Sequence, residues 1–384
     1  MRSIIPLLLL GFITLNVLGQ ASKVTDSIKI ALSSYVKNDS TRLNLFLKLA
    51  KTTDSDSEGV KAAEEAVNLA KALNLKSKLG EAYILNAACI LELGNDSLAF
   101  SLLNEALEIF KKSEEEIEEA NVYSGLGRIF QYRSQYYKAI EYNKNALTIY
   151  EKNKNIELSG KANLNLGVCY YLLSDFAEAA QYYLKANNYF EQLGNRQYVA
   201  VTLSNLARTE RELKKYSSSI EYFRKGLSIQ FIIKDSFGIA KSLQGIGIAF
   251  DLMKKSDSAL WYYYKALAIN KSKNYKLNIA ENLTNIGIIY KDIGRYEEAY
   301  FSLNEALSLY NEINRKMNKY QVELNIGELF CNAPDSFFSE KTIPLSQRYT
   351  KASLLFNNII SYSKESEDID LESKGWLGLS MVYE

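Results

Sequence analysis

Histidine is absent from the sequence, and its 384 residues include only three prolines and three cysteines. Without histidine the chain lacks the commonest general base and the commonest metal ligand of proteins. So few prolines indicate helical structure throughout, because proline breaks the interior of a helix. Cys89, Cys169 and Cys331 lie far apart in periodic helical segments. We therefore expect them to be buried small hydrophobic residues rather than disulfide partners.

The N-terminal segment MRSIIPLLLLGFITLNVLGQ is typical of a secretory signal peptide spanning residues 1–19. It combines one positive charge at Arg2 with an apolar run at 4–18 and small or apolar residues before Gln20. An uncleaved anchor helix is the alternative, but the run is shorter than the ~20 residues that cross a bilayer. We therefore expect an exported protein.

The sequence also lacks an excess of either charge, with 46 Lys+Arg against 45 Asp+Glu. Removal of residues 1–19 takes away Arg2 and no acid, which leaves 45 basic residues against 45 acidic ones. Binding to nucleic acids or to membrane surfaces in general rests on excess positive charge, so a neutral chain argues against both. We expect a protein or peptide partner, no nucleic acid, and no membrane span in residues 20–384. The oligomeric state stays open.

No catalytic constellation stands out in the sequence. It contains no GxSxG nucleophile motif, no glycine-rich phosphate loop and no metal-ligand spacing. The acidic run EEEIEE at 114–119 could hold a cation, but acids also suit the positive N-terminal end of a helix, and we favour that interpretation. We therefore expect a non-enzymatic protein without catalytic residues, metal or cofactor.

Small residues recur at intervals of forty residues in three columns that keep one register. A fixed period of this kind is typical of a solenoid whose unit is one supersecondary element, here a helical hairpin. In the sixth hairpin we predict a first helix at 280–293, a turn at 294–296 and a second helix at 297–311. The columns are Ala87, Gly127, Gly167, Ala207, Gly247, Gly287 and Gly327; Ala99, Ala139, Ala179, Ser219, Ala259 and Ala299; and Ala106, Ala146, Ala186, Gly226, Ala266 and Ala306.

The presence of Gly287 inside a predicted helix requires an explanation, because glycine in a helix interior lowers helix stability by about 1 kcal/mol relative to alanine. Helices approach each other closely only where side chains are small. We predict that Gly287 faces Ala299 within one hairpin and that Ala306 admits the first helix of the next hairpin.

The columns resemble the tetratricopeptide repeat (TPR). The stretches NLGVCYYLLSDFAEAAQYYLKAN at 165–187 and NIGIIYKDIGRYEEAYFSLNEAL at 285–307 match it closely, and the likeness covers about 80–330, or 39–384 with weaker units. The resemblance implies an all-α fold, a right-handed superhelical solenoid of TPR helical hairpins. The forty-residue period is similar to that of kinesin light chains and many bacterial sensor proteins.

The repeat suggests a division of the chain into segments. After the signal peptide we predict an N-terminal cap with a degenerate hairpin at 20–78 and six regular units at 79–318. A seventh unit at 319–369 contains an inserted loop at 331–349, and residues 370–384 form the first helix of an incomplete eighth unit. The loop is either a tolerated insertion or a groove edge at which Phe337 and Phe338 contact a ligand.

The resemblance implies a concave groove, lined by the first helix of each hairpin, that holds a peptide or a partner helix. Its amides could grip a peptide backbone, or they could satisfy local helix contacts. Its bases could bind a carboxylate or acidic peptide, although neighbouring acids could pair with them instead. The candidate groove residues are the amides Asn165, Asn205, Asn285 and Asn325, the bases Arg128, Lys161, Arg208, Arg211 and Lys241, and Gln244.

The second helices carry a tyrosine column at positions 142, 182, 222 and 262. Aromatic residues at this spacing usually pack in the core, although they could also form a platform for a sugar or peptide.

We interpret the chain as a non-catalytic scaffold that binds a protein or peptide, in the periplasm or cell envelope of a Gram-negative-type bacterium. The alternative is the periplasmic sensor portion of a transmembrane signalling protein, a histidine kinase or a helix-turn-helix regulator, whose output part lies beyond residue 384. A secreted enzyme is a third and weaker hypothesis.

Overall fold

The computed structural model of the protein describes residues 18–53, 55–338 and 343–383. The predicted signal peptide lies outside the described residues except for residues 18 and 19, which begin the first helix. All regular structure in the described part of the chain is helical, so the predicted all-α solenoid of helical hairpins is confirmed. Short 3₁₀ turns at Asp335–Phe337 and Leu345–Gln347 lie between the helix that ends at Asn332 and the helix that begins at Arg348.

Within 18–232 and within 236–383, consecutive helices pack against each other as antiparallel neighbours, and from Lys76 to Lys316 a helix begins every twenty residues. They are α1 (Leu18–Ser34), α2 (Ser40–Thr52), α3 (Asp56–Ala72), α4 (Lys76–Glu92), α5 (Asp96–Ser113), α6 (Glu116–Tyr132), α7 (Tyr136–Lys152), α8 (Ile156–Leu172), α9 (Phe176–Gln192), α10 (Arg196–Glu212), α11 (Tyr216–Ile232), α12 (Ser236–Leu252), α13 (Ser256–Ser272), α14 (Lys276–Asp292), α15 (Tyr296–Glu312), α16 (Lys316–Asn332), α17 (Arg348–Ser366) and α18 (Ile369–Tyr383).

Hairpin turns place one residue in the left-handed backbone region just after the helix ends. At the end of α14, Gly294 has a φ of +77°, and the Arg295 N–H donates to the Tyr290 carbonyl at 2.8 Å. This bond satisfies a carbonyl that the helix itself leaves free. Other turns use residues with side chains, among them Lys214 and Lys254, so a missing glycine does not prevent the turn.

The small column on the first helices faces a large side chain on the second helix. A Cβ atom added to Gly287 would lie 2.7 Å from the Leu303 Cγ and 3.3 Å from the Ala299 carbonyl oxygen. A Cβ atom added to Gly247 would lie 2.7 Å from the Tyr263 Cε1. The predicted approach to Ala299 is therefore present, but the tightest neighbour is Leu303, which the sequence argument did not single out.

The chain divides into two compact units, each with its own buried core. Within the described residues the N-terminal unit ends at Asp235, and side chains such as Leu126, Leu166 and Leu206 lie in its buried core. The C-terminal unit begins at Ser236, and its core includes Ile286 and the aromatic ring of Phe356.

The segment between α16 and α17 is folded onto the C-terminal unit where it is described. Phe337 and Phe338 are only 2% and 8% exposed and pack against Phe330 or Tyr300. The hypothesis that these two residues contact a ligand is therefore wrong, because their rings belong to the core. Residues 339–342 of the predicted loop lie outside the described residues.

Arg348 fixes this segment. Its guanidinium donates from Nε to the Phe330 carbonyl at 2.8 Å, from Nη2 to the Cys331 carbonyl at 2.7 Å, and from Nη1 to Asp335 Oδ1 at 2.9 Å. Two of these acceptors are carbonyls at the end of α16, where the helix leaves acceptors free. Arg348 was not among the predicted functional residues, although a lone arginine near the end of a proline-containing insertion offered a signal.

All three cysteines are free thiols, as expected. Cys169 is buried, and Cys89 and Cys331 are half-buried. Burial raises the pKa of each thiol, so none of them carries the charge of a reactive thiolate at neutral pH.

Candidate functional site

The candidate groove residues all lie on first helices of hairpins. The structure divides them between the two units. In the N-terminal unit, Arg128 is on α6, Lys161 and Asn165 are on α8, and Asn205, Arg208 and Arg211 are on α10; in the C-terminal unit, Lys241 and Gln244 are on α12, Asn285 is on α14 and Asn325 is on α16.

Most of the candidate bases are neutralised within the protein. Arg128 forms an ion pair with Glu92 of α4, Lys161 pairs with Glu157 at 2.5 Å, and Arg211 pairs with Glu212 at 3.0 Å. Burial lowers the pKa of the Arg128 guanidinium, but arginine remains charged at neutral pH. The alternative of internal pairing therefore holds for these three bases.

In the C-terminal unit the same pairing links consecutive hairpins. Lys241 of α12 pairs with Glu281 of α14 at 2.7 Å, and Gln244 Nε2 donates to the same carboxylate at 3.3 Å. Both partners of the ion pair are largely withdrawn from water, so the contact is screened less by salt than a surface pair would be. Lys241 and Gln244 thus join two hairpins in this structure.

Arg208 differs from the other candidate bases. Its guanidinium carbon lies 5.2 Å from the centre of the Tyr171 ring on the neighbouring helix α8, which is a cation–π arrangement. No carboxylate among the described residues forms an ion pair with it. Its donors therefore stay available for a ligand, with Asn205 one helical turn away on the same face.

The four amides divide into two pairs. Asn325 donates to the Gln321 carbonyl at 2.9 Å and accepts from Lys291 Nζ at 3.0 Å, and Asn165 donates weakly to Asn143 at 3.4 Å. The remaining two, Asn205 and Asn285, have no side-chain hydrogen-bonding partner in the part of the chain that the structure describes. Local contacts therefore account for half of the predicted amide ladder.

Sequence reasoning missed the residues that complete these networks, namely Glu92, Glu281, Lys291 and Glu328. Lys291 of α14 contacts both Asn325 and Glu328 of α16. A signal was present, because Lys241 and Glu281 occupy the same column forty residues apart with opposite charges. Alternation of charge along a column of first helices predicts pairing between hairpins, whereas a uniform charge predicts an open surface.

The tyrosine column of the second helices belongs to the packing of the hairpins. Tyr142 stacks on Phe130 with ring centres 5.3 Å apart, and Tyr182 stacks on Tyr170 at 5.2 Å. Each pair joins the two helices of one hairpin. These contacts favour the packing interpretation over a ligand platform.

The acidic run opens α6, as the helix interpretation expected. Glu116 accepts from Lys152 at 2.6 Å and from Asn153 at 3.1 Å, and these bonds lower the pKa of its carboxyl group. Across residues 18–53, 55–338 and 343–383, no cluster of cysteine and carboxylate side chains is arranged to hold a metal ion. None of the described helices combines the length and the apolar character that a membrane crossing needs.

Comparison with protein families finds tetratricopeptide repeats. One tetratricopeptide repeat model matches residues 78–152 and 158–230, and a second matches residues 280–313. A search of curated protein sequences finds no match to the chain.

Several solved structures share the fold. The apo form of the quorum sensor NprR from B. thuringiensis has a TM-score of 0.58 at 12% identity, covering 94% of this chain and 100% of that chain. A Rap protein complexed with competence and sporulation factor has a TM-score of 0.55 at 14% identity, covering 94% and 98%. The signal-transduction ATPase from Pyrococcus horikoshii that has a tetratricopeptide repeat sensor has a TM-score of 0.58 at 16% identity, covering 87% and 50%. Identities this low show a common fold alone.

Proposed function

From the tetratricopeptide repeats that this chain carries, we propose that it is a non-catalytic scaffold that binds a protein or peptide through the faces of its first helices. The fold supports the proposal, because a solenoid presents an extended surface made by successive repeats. The Rap protein of similar fold is complexed with competence and sporulation factor.

The observation that carries the proposal is Arg208. A guanidinium that rests on the Tyr171 ring and has no carboxylate partner among the described residues is oriented before a ligand arrives. Arginine binds carboxylates through two parallel hydrogen bonds, so an acidic group of the ligand is the chemistry that suits this place. Asn205 adds an amide that can both donate and accept. We therefore place the centre of the binding face of the N-terminal unit at Arg208, with Asn205 beside it.

The signal-peptide pattern of residues 1–19 supports a place in the periplasm or cell envelope of a Gram-negative-type bacterium. The second candidate function is the sensor portion of a signalling protein. It is favoured by the similar fold of the tetratricopeptide repeat sensor of the Pyrococcus horikoshii ATPase, of which this chain spans only half.

The test is a pull-down from envelope extract with residues 20–384 as bait, quantified by mass spectrometry. We expect a partner that the wild type retains, that Arg208→Ala loses, and that ~0.5 M salt releases, because salt screens an exposed charge pair. Arg196→Ala is the matched control, since Arg196 is an exposed arginine of the same helix α10. Circular dichroism shows whether each variant is folded.

A second variant tests the amides. Asn205→Ala combined with Asn285→Ala should weaken capture without unfolding the chain. Retention of the same partner by wild type, Arg208→Ala and the double variant alike would move binding away from the first-helix faces. Recovery of no partner by any bait would contradict the scaffold function itself.

A further inference from the structure

Three buried amides lie on the facing helices α13 and α14 of the C-terminal unit. Asn270 is only 1% exposed, and neither its Oδ1 nor its Nδ2 has a hydrogen-bonding partner among the described residues. Asn278 Nδ2 and Asn282 Oδ1 also lack a hydrogen-bonding partner among the described residues, and both residues are buried. A buried polar group left without a hydrogen-bonding partner destabilises the folded protein. Because buried amides are nearly always hydrogen-bonded, this group of atoms points to an additional binding partner.

Four other hairpins have an aromatic ring at the position equivalent to Asn270. The equivalent residues, at intervals of forty along the second helices, are Phe110, Tyr150, Phe190, Gln230 and Tyr310, and all five are buried. The Tyr150 hydroxyl donates a hydrogen bond to Asn121 Oδ1, on the first helix of the same hairpin, at 2.8 Å. Asn270 has a much shorter side chain with an amide at its end. This place in the repeat is polar at Gln230 as well as at Asn270, and a ring occupies it in four other hairpins. Gln230 Nε2 donates to Ser204 Oγ at 3.4 Å, whereas the Asn270 amide has no such partner among the described residues.

Comparison with equivalent positions in other hairpins places the three amides at the contact between α13 and α14. Phe190 and Tyr198 stack with ring centres 4.5 Å apart, and this pair has the same spacing along the chain as Asn270 and Asn278. Tyr150 and Ala162 share one core cluster and have the spacing of Asn270 and Asn282. The two unpartnered donors and two unpartnered acceptors thus lie along the contact between α13 and α14.

The chemistry of these four atoms defines what can bind. A cation would need acceptors alone and an anion donors alone, whereas a mixed uncharged set suits a small neutral molecule that donates and accepts. Exchange of the oxygen and nitrogen of Asn270, which look alike in most structures, leaves the same one donor group and one acceptor. Water meets the requirement, since a buried water typically makes about three hydrogen bonds to polar groups that lack other partners.

We propose that Asn270, Asn278 and Asn282 form an internal water-binding site between α13 and α14. Ordered water there hydrogen-bonds the amides and takes the place that an aromatic ring occupies in the neighbouring hairpin at Tyr310. The proposal concerns the interior of the C-terminal unit and is independent of the binding face at Arg208.

The first experiment is a crystal structure of residues 20–384 at a resolution that shows ordered solvent. The expected result is at least one water within hydrogen-bonding distance of the Asn270 amide and of Asn278 or Asn282. An Asn270 amide bonded directly to protein groups, or density free of solvent around it, would overturn the proposal.

The second experiment restores the ring. Magnetic relaxation dispersion of water oxygen-17 counts internal waters that exchange slowly, and we expect fewer of them in Asn270→Tyr than in the wild type. Asn357→Tyr makes the same substitution at an exposed position of α17 and should leave the number unchanged. An equal count in wild type and folded Asn270→Tyr refutes the site. If Asn270→Tyr fails to fold, the wild-type crystal structure still decides the question.

Discussion

Gly226 and Gly247 both belong to the small-residue columns, but their surroundings differ. A Cβ atom at Gly247 would lie 2.7 Å from the Tyr263 ring, which is closer than real side chains approach. At Gly226 the nearest side-chain atom, the Leu203 Cβ, lies 3.6 Å away, which is ordinary contact. The sequence predicted small residues at both positions. It could not separate them, because the distance between two helices depends on the large residues of both.

This difference predicts opposite effects of the same substitution. Gly247→Ala should lower the free energy of unfolding by ~1–3 kcal/mol through overpacking against Tyr263. Gly226→Ala should raise it by up to ~1 kcal/mol, because alanine is the better helix former and has room. The midpoints of urea unfolding measure both changes. A gain of stability in Gly247→Ala would contradict the close-contact explanation of the column.

Glu323 is a buried carboxyl group in α16 whose pKa is raised above its ordinary value of 4.5 because burial disfavours the charged form. Its Oε1 lies 3.6 Å from Lys319 Nζ, which partly opposes the shift. A raised pKa means that the folded state binds the proton more tightly than the unfolded state. The stability that Glu323 provides is therefore present below pH 4.5 and is lost as the pH rises through the folded-state pKa.

We predict that Glu323→Gln is more stable than the wild type at pH 7 and that the difference disappears towards pH 4. Urea midpoints measured across this range test the prediction. Glu328→Gln is the control, since Glu328 pairs with Lys291 and its neutralisation should lower the midpoint at pH 7. A variant Glu323→Gln that is less stable at pH 7 would show that the Lys319 contact outweighs burial.

At the scale of the helices, the small-residue columns located each hairpin but not its ends. We predicted the first helix of the sixth hairpin at 280–293, and α14 spans Lys276–Asp292. The prediction left out the first turn of α14, which follows Tyr275. The Tyr275 side chain makes no capping hydrogen bond, so no capping residue in the sequence marked the start of the helix. The second helix was predicted at 297–311 and spans Tyr296–Glu312. Packing against neighbouring helices extends both beyond what local signals indicate.

Lys254, two residues after the end of α12, has a φ of +59°, in the left-handed region that glycine adopts with least strain. Lys254→Gly should therefore raise the free energy of unfolding by ~0.5–1 kcal/mol, after the greater flexibility of glycine in the unfolded chain is deducted. Lys265→Gly, inside α13, should lower it by ~1 kcal/mol. Thermal unfolding of the two variants compares them directly, and destabilisation by both would show that the Lys254 side chain has a role beyond its backbone conformation.

At the scale of the whole chain, basic and acidic residues of consecutive hairpins form ion pairs. Lys241 with Glu281 and Lys291 with Glu328 connect consecutive first helices, and each pair uses one base and one acid. Composition predicted the balance of charge, and the resemblance to TPR proteins predicted which helices carry the candidate residues. Neither could tell that Arg208 rests on Tyr171, because that ring belongs to the neighbouring hairpin, whereas Arg211 pairs with Glu212, the next residue of its own helix.

In a solenoid each repeat contacts only its neighbours, so a local change in stability spreads over a limited distance. Gly287→Leu would drive a side chain into Leu303 in the C-terminal unit, and Gly167→Leu would do the same at Tyr183 in the N-terminal unit. We expect hydrogen exchange, followed by mass spectrometry, to quicken mainly within 236–383 for the first variant and mainly within 24–235 for the second. Each variant serves as the control for the other. Loss of protection along the whole chain in both would mean that the two units unfold as one cooperative body, in which case the division into separate cores would have no thermodynamic counterpart.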